Sequence, residues 1–261
     1  MAEHLNLYRR ALYYDIALQR DVSREVGFLT AAYRHYTAGE LGSVLELACG
    51  PGYHARAFAA RGVRAAGLDL SREMLDLAGE KANAEGLDIT WIKADMRSFR
   101  LENPVDMVIC MFDGIDALLT NQDLIQNFRT VADNLNPGGL YLIDLTHPRE
   151  CDYNHYGDFR YSGERDGVKV EILWATNNPQ FDLVSAVART DIEIRVNYHG
   201  KESLITDSAV ERLLLPQEII LLAQLSEALQ VVGWHGDYDL AQPLDHTPGS
   251  QRMICILQKP G

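Results

Sequence analysis

The chain has 261 residues, 47% of them apolar, which suits one large domain or a domain carrying a substantial insertion and argues against extended disorder. A formal charge of −13, with no Lys/Arg run to offset it, repels phosphate backbones and disfavours nucleic acid as a partner. Neither a spanning apolar run nor an apolar core in residues 1–10 is present, so no membrane helix or signal peptide is expected and the chain reads as soluble and cytoplasmic.

In chain order, Val22, Val26, Leu29, Tyr33 and Tyr36 fall at helical spacing, predicting an N-terminal helical cap within 1–40. A regular alternation follows: strand 43–48, helix 53–61, strand 64–70, and helix 72–84 with Ser71 as its N-cap. Residues 89–94 and 105–111 read as strands. Leu124, Ile125, Phe128, Val131, Ala132 and Leu135 share one face of a helix over 121–136, stopped by Pro137-Gly138-Gly139 before a strand over 140–145. This alternation implies a mostly parallel sheet with helices on both faces, with ligands beyond the carboxyl ends of the strands. The pattern then changes. Residues 168–176, 184–196 and 204–213 are β-branched, separated by Asn177-Asn178-Pro179 and His199-Gly200, and predict a small antiparallel insertion of about three strands. Pro216 opens a helix to about 231, and strands 234–240 and 252–258 close the chain. The division is therefore 1–40, then 41–150 with 214–261, then the insertion 151–213. Cys49, Cys110, Cys151 and Cys255 lack C-x-x-C spacing and read as buried reduced thiols.

The chemistry concentrates in Val44-Leu45-Glu46-Leu47-Ala48-Cys49-Gly50-Pro51-Gly52, where a strand ends in a glycine turn that opens a helix. Gly50-x-Gly52-x-x-Ala55, with Asp69 downstream, also fits a dinucleotide fingerprint and a nicotinamide-dependent oxidoreductase. Glu46 opposes that reading, because a carboxylate before the turn repels a pyrophosphate. It suits a ligand with a cationic amino group and no phosphate, such as S-adenosylmethionine; otherwise it is a solvated or capping acid. Asp69, ending the second strand, suits two ribose hydroxyls or a second helix cap. Met74 suits a flat base or the core. Asp95 suits an adenine amino group, with the Met96 N–H on a ring nitrogen, or an Asx turn. Met111-Phe112-Asp113-Gly114-Ile115-Asp116 ends the fourth strand, where the transferred group would lie, or forms a structural loop.

Together these spacings resemble the class I S-adenosylmethionine-dependent methyltransferase family over about 40–146 and the last two strands. Glu46, Gly50 and Gly52 match its E/D-x-G-x-G-x-G signature, with Ala48 in place of the first glycine. Asp69-Leu70-Ser71-x-x-Met74-Leu75 and Leu135-x-Pro137-Gly138-Gly139 are also typical of it. The resemblance implies a Rossmann-like domain with a terminal antiparallel strand pair. It implies S-adenosylmethionine held by 46–52, Asp69, Leu70, Met74, Asp95, Met96 and Met111. The insertion and Arg212-Leu213-Leu214-Leu215-Pro216-Gln217-Glu218 look like small-molecule methyltransferases with a β-rich lid, sugar-amine N-methyltransferases among them. Tyr13-Tyr14-Asp15 resembles the tyrosine-bearing segment that folds over the cofactor.

Methyl transfer is an in-line displacement that needs orientation and exclusion of water; a neutral amine needs little more, whereas a hydroxyl needs a base. The expected acceptor is the nitrogen of a small-molecule amine, with a small alcohol or acid, or a cofactor-binding module without turnover, as alternatives. His147 is the candidate base, and Tyr14 and Asp113 are candidates to line the pocket or orient the nucleophile. His147, Cys151 and His155 could suggest a metal, but Pro148 breaks their common face, so none is expected. Tyr153, Tyr156, Phe159, Tyr161 and Trp174 suit an apolar pocket wall or the insertion's core. The strands of 158–212 could also pair two copies into a homodimer.

Overall fold

The computed structural model describes residues 10–151, 156–157 and 159–261, so residues 1–9, Tyr153 and His155 lie outside it. Two sheets organise the chain. The larger has seven strands: β1 (Ser43–Leu47), β2 (Arg64–Asp69), β3 (Ile89–Lys93), β4 (Val105–Cys110), β5 (Leu135–Thr146), β10 (Gln230–His235) and β11 (Arg252–Gln258). Their order is β10-β11-β5-β4-β1-β2-β3. β1 to β5 pair in parallel, and β11 runs antiparallel to both β5 and β10. The expected mostly parallel sheet and terminal antiparallel pair are present.

Alternation along the central strands builds two apolar layers. Met107, Ile109, Leu140 and Leu142 face a cluster with Val26 and Leu29 of α2 (Ser23–Thr37) and Phe58 of α3 (Tyr53–Ala59). Val108, Cys110, Tyr141 and Ile143 face the other way, onto Leu124 and Phe128 of α5 (Asn121–Asn134) and Ile219 and Leu222 of α6 (Pro216–Ser226). Helix α4 (Arg72–Ala84) lies along β2 and β3, and its predicted cap is seen: Ser71 Oγ accepts from the Met74 N–H at 3.2 Å.

The insertion has four strands, one more than the three expected: β6 (Phe159–Arg165), β7 (Val168–Trp174), β8 (Val187–Tyr198) and β9 (Lys201–Arg212), in that spatial order and all antiparallel. β6 is half-exposed along its length, so it carries too little apolar signal to stand out. The inner face of this smaller sheet packs on a helix the sequence did not announce, α1 (Ala11–Leu18), with Ile16, Ala17 and Leu18 against Val170 and Ile172 of β7 and Ile194 of β8. The N-terminal segment thus divides. Helix α2 belongs to the large sheet and α1 to the smaller one.

Three boundaries differ from expectation for local reasons. Helix α5 stops at Asn134 because Leu135 is already extended, and Pro137-Gly138-Gly139 bulges within β5, with Gly138 at φ 75°. Helix α6 ends at Ser226, where Glu227 turns left-handed at φ 57°, although its apolar run continues into β10. β10 consequently lies earlier than the 234–240 predicted. No described helix is long and apolar enough to cross a membrane.

Asp15 ties these bodies together. It is fully buried and pairs with Lys81 of α4 at 2.7 Å and Arg165 of β6 at 2.6 Å, and it accepts from the Tyr53 hydroxyl at 3.1 Å. Gly163 lets β6 come this close, since a Cβ there would collide with the Ile16 carbonyl. Gly163→Val should therefore lower unfolding free energy by about 1–3 kcal/mol. Hydrogen exchange should rise in α1 and β6 while the large sheet stays protected.

Candidate functional site

The glycine turn between β1 and α3 is held from both sides by acids. Glu46 is 4% exposed. Its Oε2 accepts from the Ala55 N–H at 2.8 Å, in the first turn of α3, and its Oε1 lies 2.9 Å from His54 Nδ1. Asp69, at the end of the adjacent β2, accepts from the Gly50 N–H and the Ser71 N–H, both at 2.8 Å. Burial pushes its carboxyl above the usual range, while those N–H groups pull it back. Gly50 and Gly52 have φ 49° and 70°, and a Cβ on Gly52 would collide with the Trp91 ring. Ala48, where the signature has glycine, sits at φ 48° with its methyl exposed. It fits because residue 114 is glycine: a Cβ there would come within 3.0 Å of the Ala48 methyl.

The structure places the candidate site residues singled out from sequence at or just beyond the carboxyl ends of β1 to β5, or on α1 and α4. Tyr14 of α1 lies over the glycine turn, with ring Cε1 3.9 Å from where a Gly50 Cβ would be. Its hydroxyl is pushed up by burial, with Tyr161, Asp69 and Glu46 adding to the effect and Arg20 opposing it. Leu70 is 42% exposed beside Asp69, an apolar surface at the mouth. Asp95 makes an Asx turn, accepting from the Arg97 N–H at 2.8 Å, and pairs with the Arg97 guanidinium at 2.6 Å; this holds it below the ordinary carboxylate range. Met96 is buried, and its carbonyl accepts from Asn127 Nδ2 at 2.8 Å. Met74 and Met111 are also buried, Met74 in the body of α4.

After β4 the chain makes a tight turn in which Phe112 and Asp113 are both left-handed, at φ 55° and 62°. Asp113 accepts from the Thr146 N–H, and from its hydroxyl at 3.0 Å. Fully buried Asp144 accepts from the Phe112 N–H and the Tyr238 hydroxyl, both at 3.0 Å. Arg252 of β11 joins the two acids, at 2.8 Å to Asp144 and 3.2 Å to Asp113. Arg20 stacks on the Phe112 ring at 4.4 Å, and Tyr161 meets the same ring edge-on at 5.8 Å. Asp144, Arg252 and Arg20 were missed from sequence. An acid inside the run Leu140-Tyr141-Leu142-Ile143-Asp144-Leu145 was a visible signal for the first; the two arginines carried none.

His147 is placed apart from this cluster. Its Nε2–H donates to the Asp245 carbonyl at 2.9 Å, its Nδ1 accepts from the Arg149 N–H at 3.2 Å, and burial lowers its basicity. Both ring nitrogens are therefore spent on loop backbone. Tyr156 and Phe159 join the lid core, whereas Trp174 donates from Nε1 to Glu211 Oε1 at 2.9 Å. Burial, reinforced by Asp113, pushes the Glu211 carboxyl up to about 8. All four cysteines are buried and free. Among the described residues no group of three His, Cys, Asp or Glu side chains is arranged to hold a metal.

Two outcomes follow from this geometry. Ala48→Gly relieves a left-handed alanine and should raise the unfolding free energy by about 0.5–1 kcal/mol in urea titrations. Glu211 keeps its proton in the folded state to about pH 8 but loses it near 4.5 when unfolded. Folding therefore loses stability as pH climbs between those values, and Glu211→Gln should flatten that decline in thermal melts.

Residues 44–139 match the family model described as a methyltransferase domain. The dTDP-3-amino-3,4,6-trideoxy-alpha-D-glucopyranose N,N-dimethyltransferase of Streptomyces venezuelae is 31% identical over 142 residues, covering 54% of this chain and 56% of that one. The cypemycin N-terminal methyltransferase of a Streptomyces species is 26% identical over 220 residues, 83% of each. Across three such curated relatives the chain spans about half their length. Among solved structures, an S-adenosylmethionine-dependent methyltransferase from Clostridium acetobutylicum has the same fold, with a TM-score of 0.78 at 19% identity over 98% of this chain and all of that one. The acid-held glycine turn lies inside the matched segment, so residues 44–139 read as a methyltransferase domain, and the chain shares its overall fold, antiparallel β11 included, with that S-adenosylmethionine-dependent enzyme.

Proposed function

We propose that the chain transfers a methyl group from S-adenosylmethionine to the nitrogen of a small-molecule amine. The observation that carries this reading is the acid-held turn at 46–52, set beside the β4 turn and roofed by α1 and the lid.

The residues present fit the cofactor. Gly50 offers backbone without a side chain, and Asp69 keeps lone pairs beyond its two backbone bonds. The turn is lined by acids, which suits a cationic ligand and opposes a diphosphate. Residues 46–52, including Glu46, Ala48, Gly50 and Gly52, would hold the amino-acid portion, with Tyr14 above it and Arg20 as the cation for its carboxylate. Asp69 would take the ribose hydroxyls. Leu70, Met74, Asp95 and Met96 would border the adenine, and Met111 the reacting end. When bound, S-adenosylmethionine supplies a methyl group activated by its sulfonium.

The chain's own contribution is orientation and dryness. Arg252, Asp144 and Asp113 make the β4 turn rigid, and such positioning can supply up to ~7–11 kcal/mol of a displacement barrier. Phe112 and Tyr161 seal the turn against the lid. Nitrogen is favoured over oxygen as acceptor because an alcohol needs a base at its proton. His147, the candidate for that role, has both nitrogens engaged elsewhere. The sugar N,N-dimethyltransferases among the relatives support the same choice.

Calorimetry with S-adenosylhomocysteine tests the cofactor assignment. Wild-type protein should bind it, and Asp69→Ala, which removes acceptors from both ribose and Gly50, should weaken binding at least about tenfold. Absence of binding by the wild type at millimolar ligand would refute the reading.

A further inference from the structure

Three buried oxygens where the lid meets the end of β4 have no hydrogen-bond partner among the described residues: Asp116 Oδ1, Glu211 Oε2 and Thr190 Oγ1. Buried acceptors are almost always paired, so three in one region need a physical reason. Thr190 is fully buried. It pairs with Ala209, two residues from Glu211, whose own partner is Ala188, so Thr190 and Glu211 project from one face of the lid sheet. Asp116 comes from the short 3-10 helix Gly114–Ala117 after β4, and β9 packs directly on that helix. Lid and core therefore each bring a carboxylate to the same place.

Among the described residues no cation forms an ion pair with either acid, although Arg252 lies near enough to oppose the rise at Asp116. Arg252 is held by Asp144 and Asp113. Arg212, next to Glu211 in the chain but on the other face of β9, is held by Glu218, by Asn121 at 2.5 Å and by the Leu119 carbonyl at 3.4 Å. Cys110 and Cys151 face Asp116, and Tyr161 faces Asp113; burial raises each of them, so they bring neither cation nor anion. Burial and the nearby Asp113 and Glu211 push Asp116 well above the carboxylate range. What the arrangement lacks is a compact cation with several N–H donors.

Resting on the N-methylation reading above, we infer that Asp116 and Glu211 together form the acceptor's ammonium site, and that Glu211 takes the proton that must leave before nitrogen can attack. As the alkylammonium binds, Glu211 releases to water the proton it holds in the empty site; one N–H bond of the ammonium then breaks, an O–H bond forms at Glu211 Oε2, and the electron pair stays on nitrogen. The proton passes to water when the product leaves. A carboxyl held near 8 lies within a few units of an alkylammonium at about 10, so the exchange is close to balanced. An exposed carboxylate at about 4 would not retain the proton. Trp174 fixes the Glu211 rotamer through Oε1 and leaves Oε2 for the ligand. The Thr190 hydroxyl lies on the same face to meet a further polar group of the acceptor.

The test uses the full chain with S-adenosylhomocysteine bound, and compares cyclohexylamine with its uncharged isostere cyclohexanol by calorimetry at pH 7. Wild type should bind the amine at least tenfold more tightly than the alcohol. Asp116→Asn and Glu211→Gln should each abolish that preference while keeping S-adenosylhomocysteine affinity within twofold. Calorimetry in buffers of different ionisation enthalpy gives a readout that needs no variant. Amine binding should release about one proton as Glu211 gives up its own or takes the ligand's, and alcohol binding none. Equal affinity for amine and alcohol, a preference surviving both substitutions, or no proton release would overturn the inference and leave the cofactor assignment standing. Failure of the wild type to bind S-adenosylhomocysteine would remove the reading beneath it as well.

Discussion

Two carboxylates on neighbouring strands hold the loop from which the rest of the molecule takes its meaning. Glu46 reaches from β1 to the first turn of α3, satisfying the Ala55 N–H that the helix cannot satisfy itself, and Asp69 reaches from β2 to the Gly50 N–H. The loop is thereby rigid before any ligand arrives. Glycine at 52 is demanded by packing as well as by backbone angle, because Trp91 fills the space where a side chain would go. The acid that argued for a cationic ligand thus also builds the scaffold, and both roles draw on the same negative potential.

A second set of buried charges performs the same service at the other lip. Phe112 and Asp113 adopt left-handed backbone, which costs free energy for residues other than glycine, and Asp144 and Arg252 over-determine them. These partners come from β5 and β11, so the antiparallel β11 is what delivers a cation to the turn. Asp15 extends the logic to the roof. Its two cations come from α4 and β6, so the position of the smaller sheet over the core depends on a buried acid shared by both.

Unsatisfied groups are confined to a few places, and the largest concentration lies between the lid and the β4 turn. Glu46, Asp69 and Asp144 are engaged in hydrogen bonds, whereas among the described residues Asp116 Oδ1, Glu211 Oε2 and Thr190 Oγ1 lack a hydrogen-bond partner, an arrangement that costs stability and that a ligand would offset.

Periodicity and turn chemistry were enough to read the parallel sheet, helix α4 with its Ser71 cap and the acid–glycine turn, because each is written in residues close together along the chain; the antiparallel direction of β11 came only from the family resemblance. Apolar runs blurred the end of α6, where only a left-handed Glu227 separates helix from strand, and a half-exposed β6 escaped notice. The sequence alone determined which segments form the large sheet and that an acid precedes the glycine turn. Tertiary structure decided that Tyr14 covers that turn, that His147 is engaged by the Asp245 carbonyl from the β10–β11 loop, and that Asp116 and Glu211 come within electrostatic reach of each other. Those pairings join residues dozens to a hundred positions apart, and local spacing carries no record of contacts made only when separate elements pack.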